Sequence, residues 1–147
     1  MDLAKRGLSK IRALLNPVVA AAVRAGLPPR SAHILTTRGR RTGEPRSTPV
    51  ILVERGGTRY LVAPYGEVDW VHNVRADPHV TLSRGGSAEE VRAVEVDAGE
   101  GGPVLKDYVD RWWPAVAPYF EAGPSDPVEA FAAEIRQHPV FRLSPAD

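Results

Sequence analysis

The sequence predicts an α+β domain, mainly β: a small closed or half-closed antiparallel barrel decorated by helices. Three observations point there. Between residues 33 and 96, short runs rich in Val, Ile, Leu and Thr are separated by Gly-rich turns. Apolar residues at spacings of three and four mark helices on both sides of that stretch. A last β-type run, Val140 to Leu143, follows the helices and can complete a sheet. The 147 residues suit one domain. Within it, residues 1–25 are an N-terminal amphipathic helix, 31–98 the barrel core and 99–147 a helical cover with the last strand.

The elements follow in chain order. Leu8, Ile11, Leu15, Val18, Val19, Ala22 and Val23 give Leu3 to Ala25 a helical stripe, bent at Asn16-Pro17. Lys5, Arg6, Lys10 and Arg12 decorate its first half, a pattern that either packs on the barrel or lies on an anionic membrane. Strands are expected at His33 to Thr37, Pro49 to Glu54 and Arg59 to Ala63. Arg38 to Arg46 forms the first turn and Arg55-Gly56-Gly57-Thr58 a tight hairpin. A short helix, Asp69 to Arg75, is expected with Asp69 as its cap and Ala76-Asp77-Pro78 as its stop. Val80 to Leu82 and Val91 to Val96 are strands around the turn at Arg84 to Ser87. A helix from Gly99 to Trp113 is followed by the breakers Pro114, Pro118 and Pro124. Asp126-Pro127 opens another helix, running through Phe131, Ile135 and Gln137.

Composition removes several chemistries. There is no cysteine, so disulfides, thiolate catalysis and cysteine-ligated metals are excluded. His33, His72, His79 and His138 show no metal-ligand spacing, and no metal is expected. No apolar run reaches about 18 residues, and the first residues lack a secretory leader pattern, so a cytoplasmic protein is expected. The net charge of +1 conceals an asymmetry: residues 1–46 hold ten Lys and Arg against two Asp and Glu. Sixteen of the nineteen basic residues are Arg, which favours forked grips on phosphate or carboxylate.

Two segments concentrate the chemistry. Residues 36–49, Thr-Thr-Arg-Gly-Arg-Arg-Thr-Gly-Glu-Pro-Arg-Ser-Thr-Pro, carry four Arg, two Gly and several hydroxyls. Guanidinium forks and a Gly-permitted turn with free N–H groups suit an anion. This is neither a Walker A loop nor a dinucleotide fingerprint. Residues 63–78 combine a strand end, a Pro/Gly turn and a short helix bearing Trp70 and Asn73, with Tyr65 and Trp70 offering flat faces to an aromatic ring. A third cluster, Tyr108, Trp112, Trp113, Tyr119 and Phe120, reads equally as a satellite core or a substrate lid. Arginines, aromatics and turns without an evident acid or nucleophile suit an organic cofactor that carries its own reactivity. The basic stretch lacks interleaved aromatics, which argues against nucleic acid.

Together the two segments resemble the deazaflavin (coenzyme F-420)-dependent nitroreductase family, also called the F-420-dependent quinone reductases. The first family motif matches Thr36-Thr37, Gly39-Arg40-Arg41-Thr42-Gly43, Arg46 and Pro49. The second matches Trp70, Asn73-Val74-Arg75-Ala76 and Asp77-Pro78. The resemblance covers residues 30 to 98. It implies a split β-barrel of the flavin-mononucleotide-binding type with flanking helices. It also implies hydride transfer from reduced coenzyme F-420, an 8-hydroxy-5-deazaflavin, to a small electron-poor acceptor: a quinone, an enone or a nitro-heterocycle. Carried over by motif, Arg40, Arg41 and Arg46 hold the phosphate and glutamate tail, and Thr48 and Pro49 line the ring or ribityl chain. Ala63, Pro64, Tyr65, Gly66, Trp70 and Asn73 shape the ring pocket. Where relatives carry a longer Gly-Gly-x-Pro insert, this chain has Pro64-Tyr65-Gly66, so the pocket mouth differs and the nitroimidazole substrates do not carry over. Trp113 and Tyr119 stand where a tyrosine-rich segment flanks the substrate in relatives. The proton comes from solvent or a hydroxyl such as Tyr65 or Tyr119, and no side chain is assigned as catalytic acid. The same fold with flavin mononucleotide, a non-catalytic cofactor-binding module and a nucleic-acid-binding module are the alternatives. The basic helix of residues 1–25 suggests peripheral membrane contact.

Overall fold

Six antiparallel strands close on themselves in the order β1-β2-β3-β6-β5-β4. They are β1 (Ala32–Arg38), β2 (Pro45–Arg55), β3 (Thr58–Val62), β4 (His79–Arg84), β5 (Ser87–Glu95) and β6 (Val140–Pro145). The computed structural model describes residues 19–146. Its helices are α1, described over residues 19–24, α2 (Asp69–Ala76), α3 (Ala98–Trp112) and α4 (Val128–Ala132), with a 3-10 turn at Ala117–Tyr119.

Turn chemistry sets the register of two hairpins. Arg55 pairs with Thr58 and Arg84 with Ser87, leaving two-residue loops, Gly56-Gly57 and Gly85-Gly86. All four glycines have positive φ, the conformation that matches a tight turn to the twist of its strands. The β1–β2 connection differs. Arg38 pairs with Pro45, so residues 39–44 form a broad loop.

Alternation then separates two apolar layers. Inward residues of the strands, among them Leu35, Val50, Leu52, Leu61, Leu82 and Phe141, fill the barrel with Val71 and Val74 of α2. Outward residues of β2, β3 and β6, including Val53, Tyr60 and Val140, join Val104, Leu105, Val109 and Phe131 in a second core under α3 and α4. Asp97 caps α3, its carboxylate accepting from the Glu100 N–H at 3.0 Å. Gly102 lets α3 and α4 touch: a Cβ there would stand 3.0 Å from Ala132 Cβ and 3.3 Å from its backbone. Val23 of α1 packs on Ala32 and Ile34 on the barrel's outer face.

The expected elements all appear among the described residues, with corrected bounds. β2 begins at Pro45 rather than Pro49, and β5 at Ser87 rather than Val91. Polar residues extend both ladders, because strand pairing uses backbone groups that apolar patterning does not report. Val68, not Asp69, is the N-cap of α2; Asp69 is its first helical residue. α4 stops at Ala132, and turns replace the expected helix through Gln137. Of the expected helix over 3–25, all but residues 19–25 lies outside the described residues.

Candidate functional site

Along β2 one row of side chains changes character. Leu52 and Val50 point into the barrel core, and Thr48 and Arg46 continue that row at a period of two. Their partners on β1 are Leu35 and Thr37, where apolar filling likewise gives way to a hydroxyl. The barrel therefore opens, at this end, on polar groups.

The 39–44 loop folds back on itself above that opening. Gly39 N–H donates to the Glu44 carbonyl at 2.7 Å and Gly43 N–H to the Gly39 carbonyl at 2.8 Å. The Thr42 hydroxyl accepts from the Glu44 N–H at 3.2 Å. A Cβ at residue 39 would stand 3.0 Å from the Glu44 carbonyl oxygen, so this close approach favours glycine. Among the described residues, the N–H groups of Arg41 and Thr42 at the loop tip donate to nothing.

Helix α2 locks the loop through one side chain. Asn73 is 3% exposed. Its amide nitrogen donates to the Thr37 hydroxyl at 3.1 Å, and its oxygen accepts from the Arg40 backbone N–H at 3.2 Å and from Arg40 Nη1 at 2.9 Å. Arg40 also reaches the Asp69 carbonyl at 3.4 Å and faces the Asp69 carboxylate at 3.5 Å. Asn73 and Arg40 are therefore engaged in the frame of the site. The N-terminus of α2 carries no side-chain cap and presents its amide dipoles toward the loop.

Between loop and helix lies a cleft of about 740 Å³. The hairpin contributes Thr37, Arg40, Arg41, Arg46 and Thr48; α2 and its approach contribute Glu67, Val68, Asp69, Trp70 and Asn73. Trp70 is the floor: it packs on the barrel core with Phe141 5.6 Å away, ring to ring. Glu67 is held by Arg75 at 3.1 Å. Arg75 also grips Glu95 through two hydrogen bonds of 2.8 and 2.9 Å. Those bonds, Glu95 foremost, hold the Arg75 guanidinium above its ordinary pKa. Arg46 is 3.8 Å from Glu44, and Arg41 makes no ion pair among the described residues. The cleft thus offers two accessible guanidiniums, a loop tip with free N–H groups and one flat indole: it suits an anionic ligand with an aromatic part.

Six of the expected cofactor residues meet in this cleft: Arg40, Arg41, Arg46, Thr48, Trp70 and Asn73. Five stand elsewhere. Pro49 pairs with Ile34 on the outward row. Ala63 is buried in the barrel core, its N–H bonded to the Pro139 carbonyl at 2.9 Å. Pro64, Tyr65 and Gly66 turn away from β3 at the same end of the barrel. There the Tyr65 ring meets Tyr119 edge-on, 4.7 Å between centroids at 72°, and Gly66 has φ +91°. Trp113, 40% exposed, lies over Gly123 and outside the cleft. Tyr108 and Phe120 belong to the outer core, where burial pushes the Tyr108 hydroxyl above its usual pKa. Sequence reading missed Glu67 and Val68 as cleft walls; their place between the Pro/Gly turn and Trp70 was the signal.

A family model described as F-420H(2)-dependent quinone reductase matches residues 16–123. Among solved structures, an F-420-H2-dependent reductase (FDR-A) is 25% identical, with 78% of this chain and 95% of that one covered at a TM-score of 0.55. A protein solved as a domain-swapped dimer is 21% identical, with 94% and 99% covered at 0.58. A putative pyridoxamine 5'-phosphate oxidase from Listeria innocua is 16% identical, with 80% and 85% covered at 0.55. The last two share the fold.

Proposed function

The chain belongs to the F-420H(2)-dependent quinone reductase family, and from that premise we propose that the Arg-rich cleft is where its cofactor binds. The protein is an oxidoreductase that takes a hydride from reduced coenzyme F-420 to an electron-poor acceptor. The observation that carries the site assignment is the joining of two distant motifs. Asn73 brings the 36–49 hairpin and α2 together and leaves Arg41 and Arg46 facing the cleft.

The donor set fits the cofactor. Arg41 and Arg46, with the loop-tip N–H groups, would hold its phosphate and glutamate tail; Thr48 and Trp70 would line the ribityl chain and ring. When bound, coenzyme F-420 supplies a two-electron hydride from C5 of its reduced ring. The chain's own residues do the rest. Arg40 and Asn73 keep the loop in its binding shape, Trp70 excludes water from one face, and the uncapped α2 terminus favours negative charge nearby. The acceptor would sit at the Tyr65–Tyr119 edge, with Trp113 at the start of the same segment and a proton drawn from solvent or one of these hydroxyls.

Flavin mononucleotide is the less favoured ligand, because one terminal phosphate does not require two guanidiniums and a loop tip. Titration with oxidised F-420, flavin mononucleotide and nicotinamide cofactors, followed by fluorescence, tests this. F-420 should bind most tightly, and a shortened glutamate tail should weaken it. Equal or reversed affinities would refute the site. The proposal extends to a cytoplasmic protein with peripheral membrane contact through residues 1–25, supported by the basic charge of that segment. No helix among the described residues is long and apolar enough to cross a membrane. Co-sedimentation with anionic vesicles should drop when residues 1–18 are removed; full-length protein that ignores vesicles would dismiss the contact.

A further inference from the structure

Beside the Tyr65–Tyr119 edge, a buried histidine ties together three stretches of chain. His138 is 4% exposed and Glu134 6%. The imidazole Nδ1 lies 3.0 Å from the Pro64 carbonyl oxygen, and Nε2 lies 3.3 Å from Glu134 Oε1. Both partners are acceptors, so making both bonds at once takes a proton on each ring nitrogen. The Glu134 carboxylate also accepts from the backbone N–H groups of Glu121 at 3.0 Å and Ala122 at 2.8 Å. Phe120 stacks on the imidazole, 3.9 Å between centroids at 22°.

Each tyrosine of the edge is one residue from an anchored group. Tyr65 follows Pro64, whose carbonyl is held; Tyr119 precedes Phe120, whose ring is held. A buried ion pair adds little net stability over an apolar filling. What it does add is direction, because each bond fixes one chain segment relative to another. Neither His138 nor Glu134 lines the Arg-rich cleft.

We propose that His138 is a positioning residue for the electron acceptor: its two N–H bonds hold the Pro64–Gly66 turn against the 119–122 segment and so set the spacing of Tyr65 and Tyr119. The inference rests on the acceptor's sitting at that edge. Cofactor recognition lies in the other wall and is independent of it.

His138→Gln keeps a donor of similar reach but cannot make both bonds. With reduced F-420 and menadione as substrates, it should raise the KM for menadione about tenfold. The Kd for oxidised F-420 should stay within about twofold, since its charged contacts are untouched. Tyr65→Ala and Tyr119→Ala are measured alongside. If they raise the menadione KM and His138→Gln does not, His138 is structural only and the proposal falls while the acceptor edge stands. If neither tyrosine variant moves that KM, the acceptor binds elsewhere and both fall. Ring ¹⁵N resonances of His138 in the F-420-bound protein should report two protonated nitrogens; a neutral ring overturns the clamp. If His138→Gln does not fold, Glu134→Gln, which keeps one of the two oxygens that accept from the Glu121 and Ala122 N–H groups, should show the same split between acceptor KM and cofactor Kd. A parallel rise in both overturns the proposal.

Discussion

Two walls stand at the same end of the barrel, where β1 and β3 stop and β2 begins, and they treat charge in opposite ways. The hairpin wall keeps Arg41 and Arg46 in solvent and builds its frame from a neutral amide, Asn73. The wall around Pro64 buries an imidazole and a carboxylate and pairs them. The contrast fits the roles proposed for the two walls. A guanidinium that is to meet an incoming anion can wait in solvent with at most a loose partner, as Arg46 does 3.8 Å from Glu44, and solvent is what makes that inexpensive. Charges that only hold shape can be buried, provided that every one of them is satisfied.

The contrast can be broken most severely at Trp70, which joins the cleft to the barrel core. Trp70→Ala removes a half-buried indole and should cost about 2–3 kcal/mol of stability, below the usual range for a fully buried aromatic. Urea unfolding measures the stability, and kcat at saturating cofactor should fall as well, because the ring floor is lost. Unchanged kcat would separate Trp70 from the chemistry.

Next in size are the two exposed arginines. Arg41→Ala and Arg46→Ala each remove a proposed charge-assisted contact, worth roughly 1.5–3 kcal/mol, so F-420 should bind about ten- to hundredfold more weakly. These groups meet the same charge before and after hydride transfer, so KM for reduced F-420 rises while kcat holds. Binding should also lose salt sensitivity. Parental affinity in both variants would place the anion site elsewhere.

Asn73→Ala sharpens the distinction between frame and contact. It leaves the part-buried Arg40 N–H and the buried Thr37 hydroxyl without their partner and should cost about 1–2 kcal/mol of stability together with part of the F-420 affinity. Arg41→Ala should leave the unfolding midpoint in place. If Asn73→Ala weakens binding without shifting that midpoint, its amide contacts the ligand directly.

The smallest effect is a pH dependence away from both walls. Desolvation is the main cause holding the His33 pKa below the ordinary imidazole value of about 6.5. The folded state therefore prefers the neutral ring, and the unfolded chain takes up a proton first as pH falls through 6.5. Stability from this group should decline from there until the pH passes the lower folded value, then level off. His33→Gln should flatten that segment of a stability–pH profile recorded by thermal unfolding; an unchanged slope would assign it to other groups.

The hairpin wall was legible because its residues are consecutive and its turn chemistry local: Gly39, Gly43 and the arginines lie within one short stretch, and Trp70 and Asn73 within one turn of helix. The strand that carries Arg46 was legible only in its apolar half, since Arg46, Ser47 and Thr48 pair through backbone groups that side-chain pattern does not reveal. Pro49 is a motif position that alternation turns outward. The second wall was opaque for another reason. Pro64 and His138 are 74 residues apart, and a lone histidine after a helix reads as surface. The four-residue spacing of Glu134 and His138 was its one local sign. Tyr108 and Phe120 resolved into core because β3 and β6 supply the other half of a cluster that no helical spacing could display.

The row Leu52, Val50, Thr48, Arg46 has a consequence for how this protein can vary over generations. One strand serves as both barrel stave and cleft wall, with no hinge between the two duties. Inserting or deleting a single residue near Thr48 would exchange the faces of everything on one side of the change, turning Arg46 outward or Val50 out of the barrel core. Natural variation in the site should therefore proceed by replacement at fixed length along β2, while changes of length gather at the tip of the 39–44 loop. There the chain can lengthen without moving a single rung of the ladder.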